Sequence, residues 1–350
     1  MMFFESRVFK NEEVLFSEYL PDILPHRENQ IQIISKNLSP VLVGRRPQNT
    51  FIFGSPGIGK THVAKFIFRE LEKESERIKT IYINCWDFRT ATALLSKIAI
   101  DLGAFVQRRG VSKDEVLERL IESLKKTNKN LIICLDEVDQ LIRNDQEVLY
   151  DILRINQYEN KFVGIVFISN DPHVFAKVEP RISSSLNMEE LEFKSYTLNE
   201  MKDILEKRAE NALRKIENGV VILCANQAVK KGGDVRIGLE CLLKAARNSE
   251  SKRKDTVTVD DVKEILKGIK KVKPEILKEK IMSKEKIVLQ IIKEKKEITS
   301  GEIYDICKSK FNFSDRYTRK VIEHLSELKL IKIKEVSEGI RGKTRILSTA

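Results

Sequence analysis

The chain has 350 residues, of which 41% are hydrophobic and 33% charged, and its formal net charge is +11. That length supports two or three domains with cores of their own, and the composition is that of a folded rather than a disordered protein. No apolar run approaches the ~20 residues of a membrane span, Met1 to Lys10 lacks a signal-peptide core, and the five cysteines form no C-x-x-C pair. These features argue against membrane-spanning, secreted and zinc-scaffold classes and predict a cytoplasmic protein with reduced, buried thiols.

In chain order, residues 1–24 read as a loosely structured lead-in, and Asn29 to Leu38 as an amphipathic helix that ends before Pro40. Phe51-Ile52-Phe53 then reads as a buried strand running into Gly54-Ser55-Pro56-Gly57-Ile58-Gly59-Lys60-Thr61 and directly into a helix over His62 to Glu72. Strand, G-x-x-x-x-G-K-T loop and helix together are the context of a phosphate-binding P-loop. Gly54, Gly57 and Gly59 permit positive φ and close backbone approach, so successive N–H groups can wrap a β-phosphate at the positive end of the helix. Lys60 is then placed to reach the β/γ-phosphates and Thr61 to hold Mg2+. A Gly-rich turn beside an unrelated lysine would not require all three elements to agree.

Thr80 to Asn84 reads as a second strand, followed by helices over Thr90–Leu102 and Ser112–Lys126, the latter with Ser112 and Glu115 as a capping box. The run from Asn130 to Leu135 ends in Asp136-Glu137-Val138-Asp139, which describes a central strand of a parallel sheet with its carboxyl end beside the P-loop. Asp136 could hold Mg2+ through water, and Glu137 could orient and deprotonate an attacking water. Phe162 to Asn170 repeats the pattern, and the Asn170 amide could hold that water or the γ-phosphate. Arg181, before a serine run and a short strand over Met188 to Phe193, is a candidate arginine finger; a surface arginine is the competing reading. From Thr197 the pattern is helical, with helices to about Leu213 and near 219–230, 234–249 and 258–269. Arg236 falls in the first turn of one of them, where a cation is disfavoured unless an anion is near.

After a hinge at Lys270 to Pro274 come helices over Ser283–Lys293, Ile298–Lys310 and Ser314–Leu328, then strands from Leu330 to Val336 and Thr344 to Leu347. Three helices and a basic hairpin describe a winged helix. Residues 251–350 hold 26 Lys and Arg against 16 Asp and Glu, a net of +10, which favours a polyanion partner over a protein partner. Arg316, Tyr317, Arg319 and Lys320 near the start of the third helix suit a major groove. Arg341, Lys343 and Arg345 on the hairpin suit phosphates or a minor groove.

Over nearly its whole length the chain resembles the archaeal replication initiators of the origin-recognition and cell-division-control type, within the AAA+ ATPases. The resemblance rests on Gly54 to Thr61 (Walker A), Leu135 to Asp139 (Walker B), Ile168-Ser169-Asn170 (sensor 1), Glu179 to Ser184 (arginine-finger segment) and Gly233-Asp234-Val235-Arg236 (sensor 2). More specific to that family are Leu24-Pro25-His26-Arg27-Glu28, Tyr82-Ile83-Asn84-Cys85 followed by Arg108 to Val116, Gly301-Glu302-Ile303-Tyr304, and the Gly342-Lys343-Thr344-Arg345 wing. It implies an α/β P-loop AAA+ core with a parallel sheet (residues 1–195, with a helical insertion at about 86–126), an all-α lid (196–272) and a C-terminal winged helix (273–350).

It further implies that Pro25, His26, Arg27, the loop from Gly54 through Ser55, Pro56, Gly57, Ile58, Gly59, Lys60 and Thr61, then His62, Tyr196, Arg208 and Arg236 hold ATP or ADP. Thr61 and Asp136 would hold Mg2+, Glu137 and Asn170 would serve hydrolysis, and Arg181 would act on a neighbouring protomer's nucleotide. Arg108 and Arg109 of the insertion would touch DNA. The activity implied is slow, switch-like ATP hydrolysis by a protein that binds double-stranded origin DNA, helps recruit the replicative helicase and self-associates on DNA. Two positions depart from the pattern: Ser195 stands where proline is usual, and Gly238 stands where alanine is usual and should weaken its helix. The rival assignments are a clamp-loader or transposition-helper ATPase, or a signalling ATPase whose winged helix makes protein contacts.

Overall fold

A computed structural model describes residues 6–107, 110–127, 129–158, 161–267, 283–295, 297–311, 313–327, 331–336 and 344–349. The chain divides into two units, Met1–Lys263 and Glu264–Ala350.

In the first unit the apolar runs become β1 (Asn49–Phe53), β2 (Ile78–Asn84), β3 (Asn130–Asp136), β4 (Val163–Ser169) and β5 (Met188–Glu192). All pair in parallel, in the order β2-β3-β4-β1-β5. β4 is buried along its whole length and β3 along all but its first residue, which is why both read as unbroken apolar runs rather than alternating ones. The chain leaves β1 and crosses β4 and β3 to reach β2, so a crevice opens at the carboxyl ends near β1, where ligands bind in such sheets. Register brings three chemical positions to that edge: Phe53, just before Gly54, pairs with Ser169, just before Asn170, and Asn84 pairs with Asp136.

Helices α1 (Glu28–Leu38), α2 (Lys60–Glu74), α3 (Ala91–Asp101), α4 (Lys113–Lys126), α5 (Val138–Asp145), α6 (Glu147–Tyr158) and α7 (Pro180–Leu186) cover the sheet. The pair α5 and α6 was not anticipated. Val138, Leu141, Val148, Ile152 and Ile155 are buried at helical spacing, and a parallel β3–β4 connection requires a crossover of this kind. At α4 the capping box is one-sided: Ser112 accepts from the Glu115 N–H at 3.2 Å, but the Glu115 carboxylate turns to Arg119.

The helical part of this unit comprises α8 (Leu198–Ala212), α9 (Val220–Lys230), α10 (Val235–Ser251) and the start of α11 (259–267), which runs across the division at Lys263. Thr197 and Glu200 form the reciprocal box that starts α8. Gly238 has a packing reason that propensity alone misses: a Cβ there would meet Leu205 Cδ1 at 2.8 Å, so glycine lets α10 lie close on α8.

The expectation of a loose lead-in is corrected. Residues 6–27 are docked, with Val8, Val14 and Leu15 buried. Lys10 N–H donates to Ala212 O at 2.8 Å and Arg214 N–H to Val8 O at 2.8 Å, so the segment is stitched to the end of α8 by backbone bonds. Its apolar residues are too few and too irregular for a helix or strand, which is why periodicity missed it.

The second unit is a winged helix built from α12 (Ser283–Lys295), α13 (Ser300–Phe311) and α14 (Asp315–Glu327), with an antiparallel sheet of β6 (Glu297–Thr299), β8 (Thr344–Thr349) and β7 (Ile331–Val336) in that order. Its core gathers Val288, Ile292, Ile303, Cys307, Leu325 and Leu347. The start of the second helix moves from Ile298 to Ser300, because Ile298 pairs with Leu347 as strand β6 while Thr299 and Glu302 cap the helix. The hinge at 270–274 and the turn at 339–343 lie outside the described residues. All five cysteines are buried and unbridged, and no described helix is long and apolar enough to cross a membrane.

Candidate functional site

The site is a cleft of about 830 Å3 bounded by the phosphate loop, the carboxyl ends of β2 and β3, helices α8 and α10, and residues 17–25 of the docked N-terminal segment. Gly54, Gly57 and Gly59 have φ of 143°, 71° and 93°. A Cβ on Gly54 would stand 2.3 Å from Phe193 O, and one on Gly57 would stand 1.8 Å from Asp234 Oδ1, so both positions require glycine for space as well as for conformation.

Lys60 opens α2 and folds back over the loop. Its Nζ donates to Gly54 O at 2.7 Å, Ser55 O at 2.9 Å and Asn170 Oδ1 at 2.8 Å. Burial pulls its pKa down to about 8, against the opposing pull of Asp136 and Glu137. Thr61 Oγ1 donates to Asp136 Oδ2 at 2.6 Å, Tyr82 OH donates to the same oxygen at 2.8 Å, and the Glu137 N–H donates to Asp136 Oδ1 at 2.9 Å. Three donors therefore fix a carboxylate that is 5% exposed. Glu137 sits at φ 54°, a left-handed conformation that is costly for a non-glycine residue and turns its side chain toward Asn170, whose Nδ2 lies 3.3 Å from Oε2. Burial, then the charges of Asp136 and Asp139, raise the Glu137 pKa, the direction that suits a general base.

Of the residues expected to hold nucleotide, Pro25, Pro56, Gly57, Gly59, Lys60, Thr61, His62, Tyr196, Arg208 and Arg236 line the cleft, with Asp136, Glu137 and Asn170. His26, Arg27, Gly54, Ser55 and Ile58 are not in that lining. Arg27 is 4% exposed; its Nε and Nη2 donate to Ile58 O at 3.2 and 2.9 Å, Nη2 also donates to Lys194 O at 2.9 Å, and the guanidinium lies 3.8 Å from the Tyr196 ring centroid. His26 pairs with Asp203 at 3.0 Å. Arg208 donates to Phe16 O at 2.8 Å and Tyr19 O at 3.1 Å, holding the N-terminal segment, and burial lowers its pKa to about 10. Burial, with Arg208 and Lys65 nearby, keeps His62 below the ordinary histidine range.

Arg181 stands apart, in the first turn of α7, where Glu179 and Glu147 bind it at 2.8 and 3.2 Å. In the winged helix, Arg316, Arg319 and Lys320 are exposed on α14, whereas Tyr317 packs on Phe313 at 5.4 Å. Arg345 is half-buried on β8, and Arg108, Arg109, Arg341 and Lys343 lie outside the described residues.

Three contributors escaped the sequence reading. Tyr82 could have been found from β2 alternation, since it shares a face with Asn84, the register partner of Asp136. Asp234 is the N-cap of α10, an Asp-type cap signal two residues before Arg236. The segment 17–24 carried no periodic signal. Thr61 and Asp136 supply only oxygen donors, and no described group of three His, Cys, Asp or Glu could cage a metal. Two protein oxygens, completed by phosphates and water, fit a hard cation such as Mg2+.

Residues 44–172 match the family described as AAA domain, and residues 202–265 match the Cdc6 AAA+ ATPase-type lid domain. The chain is similar to ORC1-type DNA replication protein 1 of Archaeoglobus fulgidus, 35% identical over 97% of this chain and 87% of that one. It is also 34% identical to ORC1-type DNA replication protein 1 of Aeropyrum pernix, over 98% of this chain and 92% of that one. Among solved structures it resembles the Aeropyrum pernix ORC1 protein in complex with DNA, with a TM-score of 0.78 and 34% identity over 99% of this chain and 94% of that one. The Aeropyrum pernix ORC2 protein, solved as ADPNP–ADP complexes, shares the fold with a TM-score of 0.67 at 23% identity over 98% and 94% of the two chains.

Proposed function

The chain belongs to the ORC1-type DNA replication proteins, and from that premise we propose that it is an ATP-dependent initiator that binds duplex origin DNA and helps bring in the replicative helicase. It is an AAA+ ATPase by family. On nucleotide entry Lys60 exchanges the carbonyls of Gly54 and Ser55 for β- and γ-phosphate oxygens, and the loop N–H groups take the β-phosphate. Thr61 and Asp136 would hold Mg2+, which would supply neutralisation of the charge that develops on the phosphates. Glu137, kept in place by its φ of 54° and by Asn170, takes the proton of the attacking water. Arg181 reaches the nucleotide of a neighbouring protomer by exchanging Glu179 and Glu147 for phosphate.

On DNA, Arg316, Arg319 and Lys320 of α14 enter the major groove and Arg345 meets the backbone, while Tyr317 props α14 against the core. Arg108 and Arg109 of the insertion touch DNA, and Arg341 and Lys343 add phosphate or minor-groove contacts. The observation that carries this reading is the presence, in one chain, of a fully wired nucleotide cleft and a winged helix whose third helix exposes three cations. Footprinting of the full chain on genomic fragments with ATP and with ADP tests it. Discrete protected sites that are lost in Arg316→Ala are expected, with binding that falls steeply as salt rises. Absence of protection with either nucleotide, at low salt, would overturn it.

A further inference from the structure

Arg236 lines the nucleotide cleft, but its guanidinium is engaged by a neighbouring carboxylate. Its Nε donates to Asp234 Oδ1 at 2.9 Å and its Nη2 to Asp234 Oδ2 at 2.7 Å, a two-bond fork. The acceptor is the fixed half of this pair. Asp234 caps α10 by accepting the Arg236 N–H at 2.9 Å, and its carboxylate lies against the phosphate loop where a Gly57 Cβ would be. The Val235 N–H donates to Gly57 O at 3.0 Å, which locks this helix start onto the loop. The donor is the more exposed half: the Arg236 side chain is 55% exposed, against 17% for Asp234. A guanidinium forked on one carboxylate has spent the edge that a phosphate would need.

We propose that Asp234 competes with the terminal phosphate of a bound nucleoside triphosphate for Arg236, so that it sets the preference of the site between triphosphate and diphosphate. The inference rests on the reading of this cleft as an adenine-nucleotide site and adds to it a specificity-determining residue. A diphosphate leaves the fork intact. A triphosphate must open it, and the affinity gained through Arg236 is reduced by the loss of the Asp234 bonds.

The test is the dissociation constant of the full chain for ADP and for a non-hydrolysable ATP analogue, each with Mg2+, in wild type, Asp234→Asn, Arg236→Ala and the double variant. Asparagine keeps the helix cap but offers one neutral oxygen, and Asp234→Ser provides a second cap-preserving variant should the first fail to fold. Asp234→Asn should shift the ratio of the two constants about tenfold toward the triphosphate, the scale of a charge-assisted hydrogen bond. In the Arg236→Ala background the same change should leave the ratio unaltered. An unchanged ratio in both Asp234 variants overturns the inference, as does an equal shift with and without Arg236, which would assign the effect to simple repulsion. If the wild type bound neither nucleotide, the reading of the cleft would fall, and the inference with it.

Discussion

Replacing Arg27 with methionine keeps an apolar stem of similar length and removes only the guanidinium. Ile58 O, buried and held at 2.9 and 3.2 Å, and Lys194 O, half-buried and held at 2.9 Å, then lose this donor. The buried acceptor costs about 1–3 kcal/mol, and the half-buried one, which water can reach, costs less. The stack on Tyr196 at 3.8 Å contributes about 1–2 kcal/mol more in a desolvated setting. Against this, the variant no longer buries a charge, a cost visible in the lowered Arg27 pKa, whose first cause is burial. The net loss should be about 3 kcal/mol, or a fall of about 1 M in the urea midpoint at a slope of about 3 kcal/mol/M. Trp86 is the chain's one tryptophan and lies in the first unit, so its fluorescence reports that unit without the winged helix. Nucleotide affinity should fall in the same variant, because Ile58 belongs to the loop that the proposed function wraps around the phosphates. A midpoint within about 0.2 M of wild type would refute the claim that this arginine holds the loop from behind.

Two further outcomes follow from the cleft. Tyr82→Phe should raise the Mg2+ concentration needed for tight nucleotide binding by about 10- to 100-fold, the usual cost of removing a residue that orients a metal ligand, while ADP affinity in EDTA stays near wild type. An unaltered Mg2+ titration would show that Asp136 is held well enough by Thr61 and the Glu137 N–H. Lys60, with its pKa lowered to about 8 against an ordinary 10.5, predicts opposite pH trends for folding and binding. Between those values the unfolded chain keeps the proton that the folded one gives up, so the Lys60 contribution to stability improves as pH rises through that window and is lost as pH falls through about 8. Phosphates favour the charged form, so ADP binding should weaken above pH about 8 and take up a proton. Calorimetry at pH about 8.5 in buffers of different ionisation enthalpy measures that uptake, and an identical heat in every buffer would rule it out.

The legible part of this protein is the part whose signal is local. Gly54 to Thr61 is contiguous, and its strand–loop–helix context lies within one stretch of chain. The unbroken apolar runs of β3 and β4, with acids or amides at their ends, follow from burial on both faces of a parallel sheet. The caps at Thr197 and Thr299 are likewise written within three residues. Where local signals compete, the reading slipped. Ile298 carries helix-compatible neighbours but is taken by β8 as a strand partner, a choice made by a residue some fifty positions away. Gly238 looks like a defect until Leu205 is placed against it.

Sequence alone determined the nucleotide chemistry of the first unit, the winged helix and the basic bias of the last hundred residues, because composition, periodicity and a contiguous phosphate loop suffice for each. Only the tertiary structure decided how the side chains divide the work. It set Arg27 behind the loop rather than in the cleft, gave Tyr82 to Asp136, forked Arg236 on Asp234, and turned an aperiodic lead-in into a wall of the cleft stitched to α8. Each of these depends on hydrogen bonds between residues far apart in the chain or on which of several donors reaches an acceptor first. Distance and direction in the fold determine those outcomes, and neither has a period along the sequence.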